Sequence, residues 1–121
     1  MKILHVEDIP EISQIFADIL ATKNYDFDSI TDGKAGLELA VYKDYDLILL
    51  DMCMPKYSGV DFLLDLKHRR PSEVSKVVIV SSLEMTPTQE QELLKLGIRS
   101  VLRKPISVQT LLSQIEEEIT Y

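Results

Sequence analysis

The sequence predicts an α/β domain: a doubly wound, five-stranded parallel sheet in the order 2-1-3-4-5, with helices on both faces. Three observations predict it. Apolar runs at Ile3 to Val6, Leu47 to Leu50 and Val77 to Val80 are continuous rather than alternating, as in strands covered on both faces. Strand and helix patterns alternate five times, which calls for parallel strands joined by right-handed crossovers. A length of 121 residues suits a single domain, 1–121, with its own core. In such a sheet strands 1 and 3 are neighbours, and the chain reverses direction between them. Ligands then bind in the crevice at their carboxyl ends.

Each element has a local cause. The first strand ends at Glu7-Asp8, and Ile9-Pro10-Glu11 opens a helix, with proline suited to its first turn. Ile12, Ile15, Phe16, Ile19 and Leu20 form an apolar stripe along that helix. Tyr25 to Ile30 is a weaker, partly polar strand expected at a sheet edge. Asp32 caps a second helix over roughly Gly33 to Tyr42. The third strand runs through Leu50 to Asp51, and Pro55 forbids its continuation. A loop containing Gly59 leads to a helix from about Val60 to Arg70, closed by Pro71. The fourth strand ends in Ser81-Ser82. Thr86-Pro87-Thr88-Gln89 has capping-box form, and Gly97 stops the helix that follows. Arg99 to Leu102 is a short fifth strand, followed by Arg103-Lys104-Pro105. Ser107 caps a last helix with the stripe Val108, Leu111, Leu112, Ile115 and Ile119.

Composition narrows the class without naming a function. Twenty acids against thirteen bases, a net charge of -7, argue against nonspecific nucleic-acid binding, which needs a basic face. The single cysteine, Cys53, cannot form an internal disulfide, so a reducing cytoplasm fits. No stretch reaches signal-peptide or membrane-spanning length. Direct nucleic-acid and membrane partners are therefore not expected.

What the strands deliver to their carboxyl edge is more informative. The first brings Glu7 and Asp8, the third Asp51, the fourth Ser81 or Ser82, the fifth Lys104. Each pair of carboxylates at roughly 5 Å repels by up to about 3 kcal/mol at an effective dielectric near 20. A stable domain has only ~5–15 kcal/mol in hand, so the cluster calls for a compensating cation or a retained proton. Hard oxygen donors suit Mg2+, and Mn2+ could substitute. Acids, a divalent cation, a lysine and a hydroxyl around one aspartate are the parts that phosphoryl transfer to that aspartate needs. The carboxylate is the nucleophile, and the surroundings position and neutralise the phosphoryl oxygens.

Taken together these residues resemble a response-regulator receiver domain, the CheY-like phosphoacceptor of two-component signalling, over essentially the whole chain. The resemblance rests on Glu7-Asp8, Asp51 with Met54-Pro55, Gly59, Ser81 and Lys104-Pro105 in that order. The 2-1-3-4-5 order belongs to this flavodoxin-like (βα)5 family itself, so it is not independent of the resemblance. The resemblance implies that Asp51 accepts phosphate from a sensor histidine kinase, a phosphotransfer protein or acetyl phosphate. It implies Mg2+ bound by Asp8, Asp51 and the Cys53 carbonyl, with Glu7 acting through water. Ser81 would be the switch hydroxyl and Lys104 the phosphoryl-bridging lysine, with a cis Lys104-Pro105 bond; Pro55, Gly59 and Pro105 would be structural. The helix 4–strand 5–helix 5 face would bind a downstream protein, the chain acting as a monomer or a weak phosphorylation-linked dimer. Such a domain assists its own phosphorylation and autodephosphorylation, and is a signalling phosphoacceptor rather than an enzyme.

Two positions depart from the pattern. The aromatic switch position holds Val101, so a coupled hydroxyl–aromatic rotation is not available, and backbone and helix movement is expected instead. Cys53, two residues after the phosphoacceptor, positions water poorly, so slow autodephosphorylation is expected.

Duller readings stand beside these. Asp8 with Glu11 could be a capping box, Ser81 and Ser82 turn formers, and Lys104 a solvated lysine. His5 reads as a packed core histidine. His68-Arg69-Arg70 reads as a complement to a helix dipole, and a redox role for Cys53 is disfavoured by the surrounding acids. A phosphorylation-independent pseudo-receiver, used for protein contacts or dimerisation, has no use for crowded carboxylates. A flavin or nucleotide binder needs a glycine- or hydroxyl-rich loop after strand one, where Glu7-Asp8-Ile9-Pro10 stands instead. A stand-alone regulator and a domain cut from a longer protein both fit the length.

Overall fold

The computed structural model describes residues 2–23, 25–52, 56–81, 86–103, 110, 113 and 115–117, without the side chains of Ser81 and Arg103. Five strands, β1 (Lys2–Val6), β2 (Asp26–Ile30), β3 (Leu47–Asp51), β4 (Val77–Ser81) and β5 (Ser100–Arg103), form one sheet. All pairings are parallel, and the order is β2-β1-β3-β4-β5. The helices are α1 (Pro10–Ala21), α2 (Gly33–Tyr42), α3 (Gly59–Arg69) and α4 (Pro87–Lys95). Thr110, Ser113 and residues 115–117 are also helical. Among the described residues no helix is long and apolar enough to cross a membrane.

Two cores explain the continuous apolar strands. Leu4, Val6, Ile48, Leu50, Val77 and Ile79 pack on one face with Leu37 of α2, Phe62, Leu63 and Leu66 of α3, and Leu93 of α4. Ile3, Leu47, Leu49, Val78 and Val80 pack on the other with Phe16, Ile19 and Leu20 of α1 and with Ile115. Successive strand residues point to opposite faces, so a run apolar at every position supplies both layers. β3 is buried at all five positions.

The local signals behave as expected with a few corrections. Asp32 accepts the Lys34 amide, and Thr86 and Gln89 form a reciprocal capping box. Gly97 has φ +103°, the left-handed conformation that ends α4. Ile15, assigned to the buried stripe of α1, is 56% exposed. Ser13 is buried in that helix instead, its hydroxyl 2.7 Å from Ser29 Oγ. The segment Pro71–Lys76 is a 3-10 helix, which the sequence pattern did not announce. Arg70 does not serve its own helix dipole. Its guanidinium donates to the carbonyls of Ala40, Val41 and Lys43, tying off the end of α2, and pairs with Asp44. Of the C-terminal stripe, Val108, Leu111, Leu112 and Ile119, like the cap Ser107, lie outside the described residues.

Candidate functional site

The parallel register brings the ends of β1 and β3 side by side, with Val6 opposite Leu50. The residues that follow, Glu7 and Asp8, and the last residue of β3, Asp51, therefore share one edge. One carboxylate oxygen from each lies within 4.8 Å of the other two. The backbone fixes this arrangement. The Glu7 amide donates to Ile30 O at 3.1 Å, extending the contact between β1 and β2 past Val6, and the Glu7 carboxylate accepts the Ile9 amide at 3.4 Å. Asp8 is not the cap of α1: Ile9 holds that position without a side-chain hydrogen bond.

The cluster is drier than a strand end facing water would suggest. Glu7 is 1% and Asp51 3% exposed, and Asp8 is half-buried. Asp8 Oδ1 is buried and has no hydrogen-bond partner among the described residues. A buried acceptor left unmade costs about 1–3 kcal/mol, more when charged. Three acid oxygens at this spacing fit the all-oxygen donor set of a hard divalent cation such as Mg2+.

On the far side of Asp51 the chain is held by close packing. The Gly59 amide donates to Met52 O at 3.2 Å. A Cβ at Gly59 would stand 2.9 Å from Met52 Cα and 3.0 Å from Asp51 O, so only glycine lets α3 start this close to the end of β3. Ser58 caps α3 through a reciprocal box with Asp61. Tyr57, in the loop before Gly59, is buried in the larger core, which the sequence reading did not anticipate. Its hydroxyl donates to the Asp65 carboxylate and to Asp61 O. An aromatic residue inside a Lys-Tyr-Ser-Gly loop was the available signal.

Of the remaining expected site residues, Cys53, Met54, Pro55, Ser82, Lys104 and Pro105 lie outside the described residues. Ser81 is the last residue of β4, one past Val80, which pairs with Asp51 of β3, and its backbone pairs with Arg103. Val101 lies in β5 opposite Ile79 and packs partly buried against the larger core. His5 is a packed core histidine, its ring stacked on Phe16 at 4.5 Å between centroids and its Nδ1 3.4 Å from Ser29 Oγ.

Known proteins resemble the chain at the level of both sequence and fold. "Response regulator ArlR" of Staphylococcus saprophyticus is 32% identical over 114 residues, 94% of this chain and 50% of that protein, so the chain spans about half its length. The structure of the Francisella response regulator 1452 receiver domain matches at TM-score 0.84 and 28% identity, covering 98% of this chain and 96% of that one. The receiver domain of sensor histidine kinase PA1611 from Pseudomonas aeruginosa, crystallised with a magnesium ion in its active-site cleft, matches at TM-score 0.84 and 21% identity. It covers 99% of this chain and 98% of that one. The family model of the response regulator receiver domain matches residues 3–116, and with the sheet order and the acidic edge already described, the chain belongs to that family.

Proposed function

We propose that this chain is a single receiver domain that takes one phosphoryl group onto Asp51 in a Mg2+-dependent reaction and changes its binding to a partner protein. The observation that carries the reading is the trio Glu7, Asp8 and Asp51, the first and last buried and Asp8 half-buried, with Asp8 Oδ1 unpartnered among the described residues. A carboxylate oxygen of Asp51 forms the bond to phosphorus as the bond from phosphorus to the donor breaks. The donor is the imidazole nitrogen of a phosphohistidine or the acyl oxygen of acetyl phosphate, and it leaves with the electron pair.

Asp8, Asp51 and the Cys53 carbonyl would hold the cation directly, with Glu7 reaching it through water. When bound, Mg2+ supplies positive charge that offsets both the acids and the phosphoryl oxygens. The Lys104 ammonium and the Ser81 hydroxyl would each take a phosphoryl oxygen. Burial of Asp51 keeps bulk water away from the acyl phosphate once it has formed. With Val101 in place of an aromatic switch, the signal would pass from Ser81 into α4 and β5 by backbone movement. The donor would be a sensor histidine kinase or phosphotransfer protein in the cytoplasm, and the α4–β5 face would meet the output protein.

The test is intact-mass analysis after incubation with acetyl phosphate and Mg2+. The parent should gain one phosphoryl group, while Asp51→Asn and the parent with a chelator should gain none. A parent that gains nothing from acetyl phosphate or a phosphohistidine donor would overturn the reading, leaving a module used only for protein contacts. Equal labelling of Asp51→Asn would move the acceptor elsewhere.

A further inference from the structure

Beyond the acids themselves, the residues leading into α3 are tied to that helix by a side chain with no place in the proposed chemistry. We propose that Tyr57, through its hydroxyl bond to Asp65, is a positioning residue that latches the start of α3 in place and so, through the Gly59–Met52 contact, sets the geometry of the phosphoacceptor; as positioning it rests on the function proposed above.

Three sets of contacts converge on this latch. The Tyr57 ring is buried in the core shared by α2 and α3, and its hydroxyl donates to the Asp65 carboxylate and, at 3.4 Å, to Asp61 O. The Lys34 ammonium, from the first turn of α2, stands 6.0 Å from the ring centroid. Two residues on, the Gly59 amide donates to Met52 O, and a Cβ there would press on the backbone of Asp51 and Met52. The loop end is therefore pinned to α3 by Tyr57 and to β3 by Gly59. Asp51 ends β3 directly beside the second pin, so a loop that lifts from α3 loosens the backbone carrying the phosphoacceptor.

Burial and the Asp65 carboxylate both push the Tyr57 phenol up, so it remains a protonated donor at neutral pH. Asp65 is exposed, so water can solvate its carboxylate when the phenol is replaced by a ring of the same shape. Tyr57→Phe thus removes the bond while keeping the packing. The latch can be opened without hollowing the core.

The experiment follows amide hydrogen exchange of Gly59 and Leu50 in the metal-free protein, then the Mg2+ dependence of acetyl phosphate labelling, for the parent and four variants. In Tyr57→Phe and Asp65→Ala the Gly59 amide should exchange about tenfold faster relative to Leu50, the factor that one hydrogen bond of ordinary net strength is worth. The double variant should exchange no faster than either single one, because both remove the same bond. Asp65→Asn, which keeps an acceptor oxygen, should stay within about twofold of the parent. The Mg2+ concentration for half-maximal labelling should rise in Tyr57→Phe and Asp65→Ala and return in Asp65→Asn.

Unchanged Gly59 exchange, equal acceleration of Gly59 and Leu50, or additive effects in the double variant would overturn the latch. So would a faster Gly59 amide with unaltered Mg2+ dependence. A parent that is never labelled sinks the phosphoacceptor reading, and the positioning role with it. The exchange data would then show separately whether the Tyr57–Asp65 tie exists.

Discussion

The two ends of the sheet treat their acids in opposite ways. Around the amino-terminal half of β1 and β2, every acid has a partner. Asp28 accepts Tyr45 OH at 2.6 Å and Lys43 Nζ at 2.8 Å, with Lys2 Nζ at 3.9 Å. Lys2 reaches Asp26 at 3.9 Å, and its backbone amide donates to Asp46 at 2.8 Å. Lys2 and Lys43 each stand within 6 Å of the Tyr45 ring centroid. The Lys43 hydrogen bond, then that of Tyr45, holds the Asp28 carboxyl below its ordinary range, while burial and Asp28 push the Tyr45 phenol up. At the carboxyl end three acid oxygens share a 4.8 Å cluster, and Asp8 Oδ1 has no hydrogen-bond partner among the described residues. The same residue type is paired with cations and a phenol at one end and gathered with its own kind at the other. Crowded acids of this kind call for a compensating cation or a retained proton, and the proposed Mg2+ would supply the first.

Replacing Asp8 tests the crowded end, and here the largest effect is expected. Asp8→Asn removes a charge that would face the cation. A loss of about 3 kcal/mol raises the Mg2+ needed for half-maximal labelling on the order of 100-fold. The metal-free variant should nonetheless be the more stable protein, because one repelling charge is gone. Relief of about 1 kcal/mol raises the unfolding midpoint by roughly 4 °C. Calorimetry with and without Mg2+ reads both. A metal-free Asp8→Asn that melts below the parent would mean that the acids are not in conflict, and the comparison would fail at its main point.

How much of this was legible in the sequence follows from what kind of signal each part leaves. The parallel sheet was legible because burial on both faces imposes apolar runs such as Leu47 to Leu50, and their alternation with amphipathic helix patterns selects parallel pairing. Glu7, Asp8 and Asp51 were legible as a cluster because topology alone carries β1 and β3 to the same edge. Burial of the cluster was not legible, since it depends on how closely α1 and α3 start beside the strand ends, and that is a matter of packing. The Tyr57–Asp65 tie and the Arg70 clamp on α2 were illegible for the same reason. Each joins residues whose pairing is set by the angle between elements, which no periodicity records. Ile15 failed in the opposite sense: the helical stripe was real, but α1 rolls so that Ser13 faces Ser29 and Ile15 faces water.

The paired end should respond to the same kind of substitution with the opposite sign. Asp28→Asn loses the charge that Lys43 and Tyr45 address. The Asp28 side chain is 34% exposed, so solvent screening holds the cost to about 1 kcal/mol, or roughly 4 °C in midpoint. Its Mg2+ dependence should match the parent's. The pH course follows from the lowered carboxyl pKa. Between the folded value and the unfolded value near 3.8, the unfolded state binds more protons, so the contribution is fully present above that window. It disappears as pH falls through the folded value. The gap between parent and Asp28→Asn should therefore be constant from pH 5 to 7, as about one pH unit above the unfolded value suffices, and should close on acidification below 4. A gap that widens on acidification would show that Asp28 is not stabilised as a carboxylate.

The smallest effect expected, and the sharpest on why the two ends differ, is that of salt on these two midpoint gaps. Going from about 0.1 M to about 1 M NaCl shortens the screening length from about 10 Å to about 3 Å, which weakens interactions in contact with water far more than buried ones. Asp28, Lys43 and Lys2 are all partly exposed, whereas Glu7 and Asp51 are almost wholly buried beside Asp8. The Asp28→Asn gap should accordingly shrink by about half, roughly 2 °C, while the Asp8→Asn gap changes by less than about 1 °C. Na+ lacks the charge to replace a divalent ion in an all-oxygen site, so a small addition of Mg2+ should do to the parent what the salt does not. If NaCl closes the Asp8→Asn gap as readily as the other, water already screens the three acids from one another. The orphaned oxygen then ceases to be an argument for a bound cation.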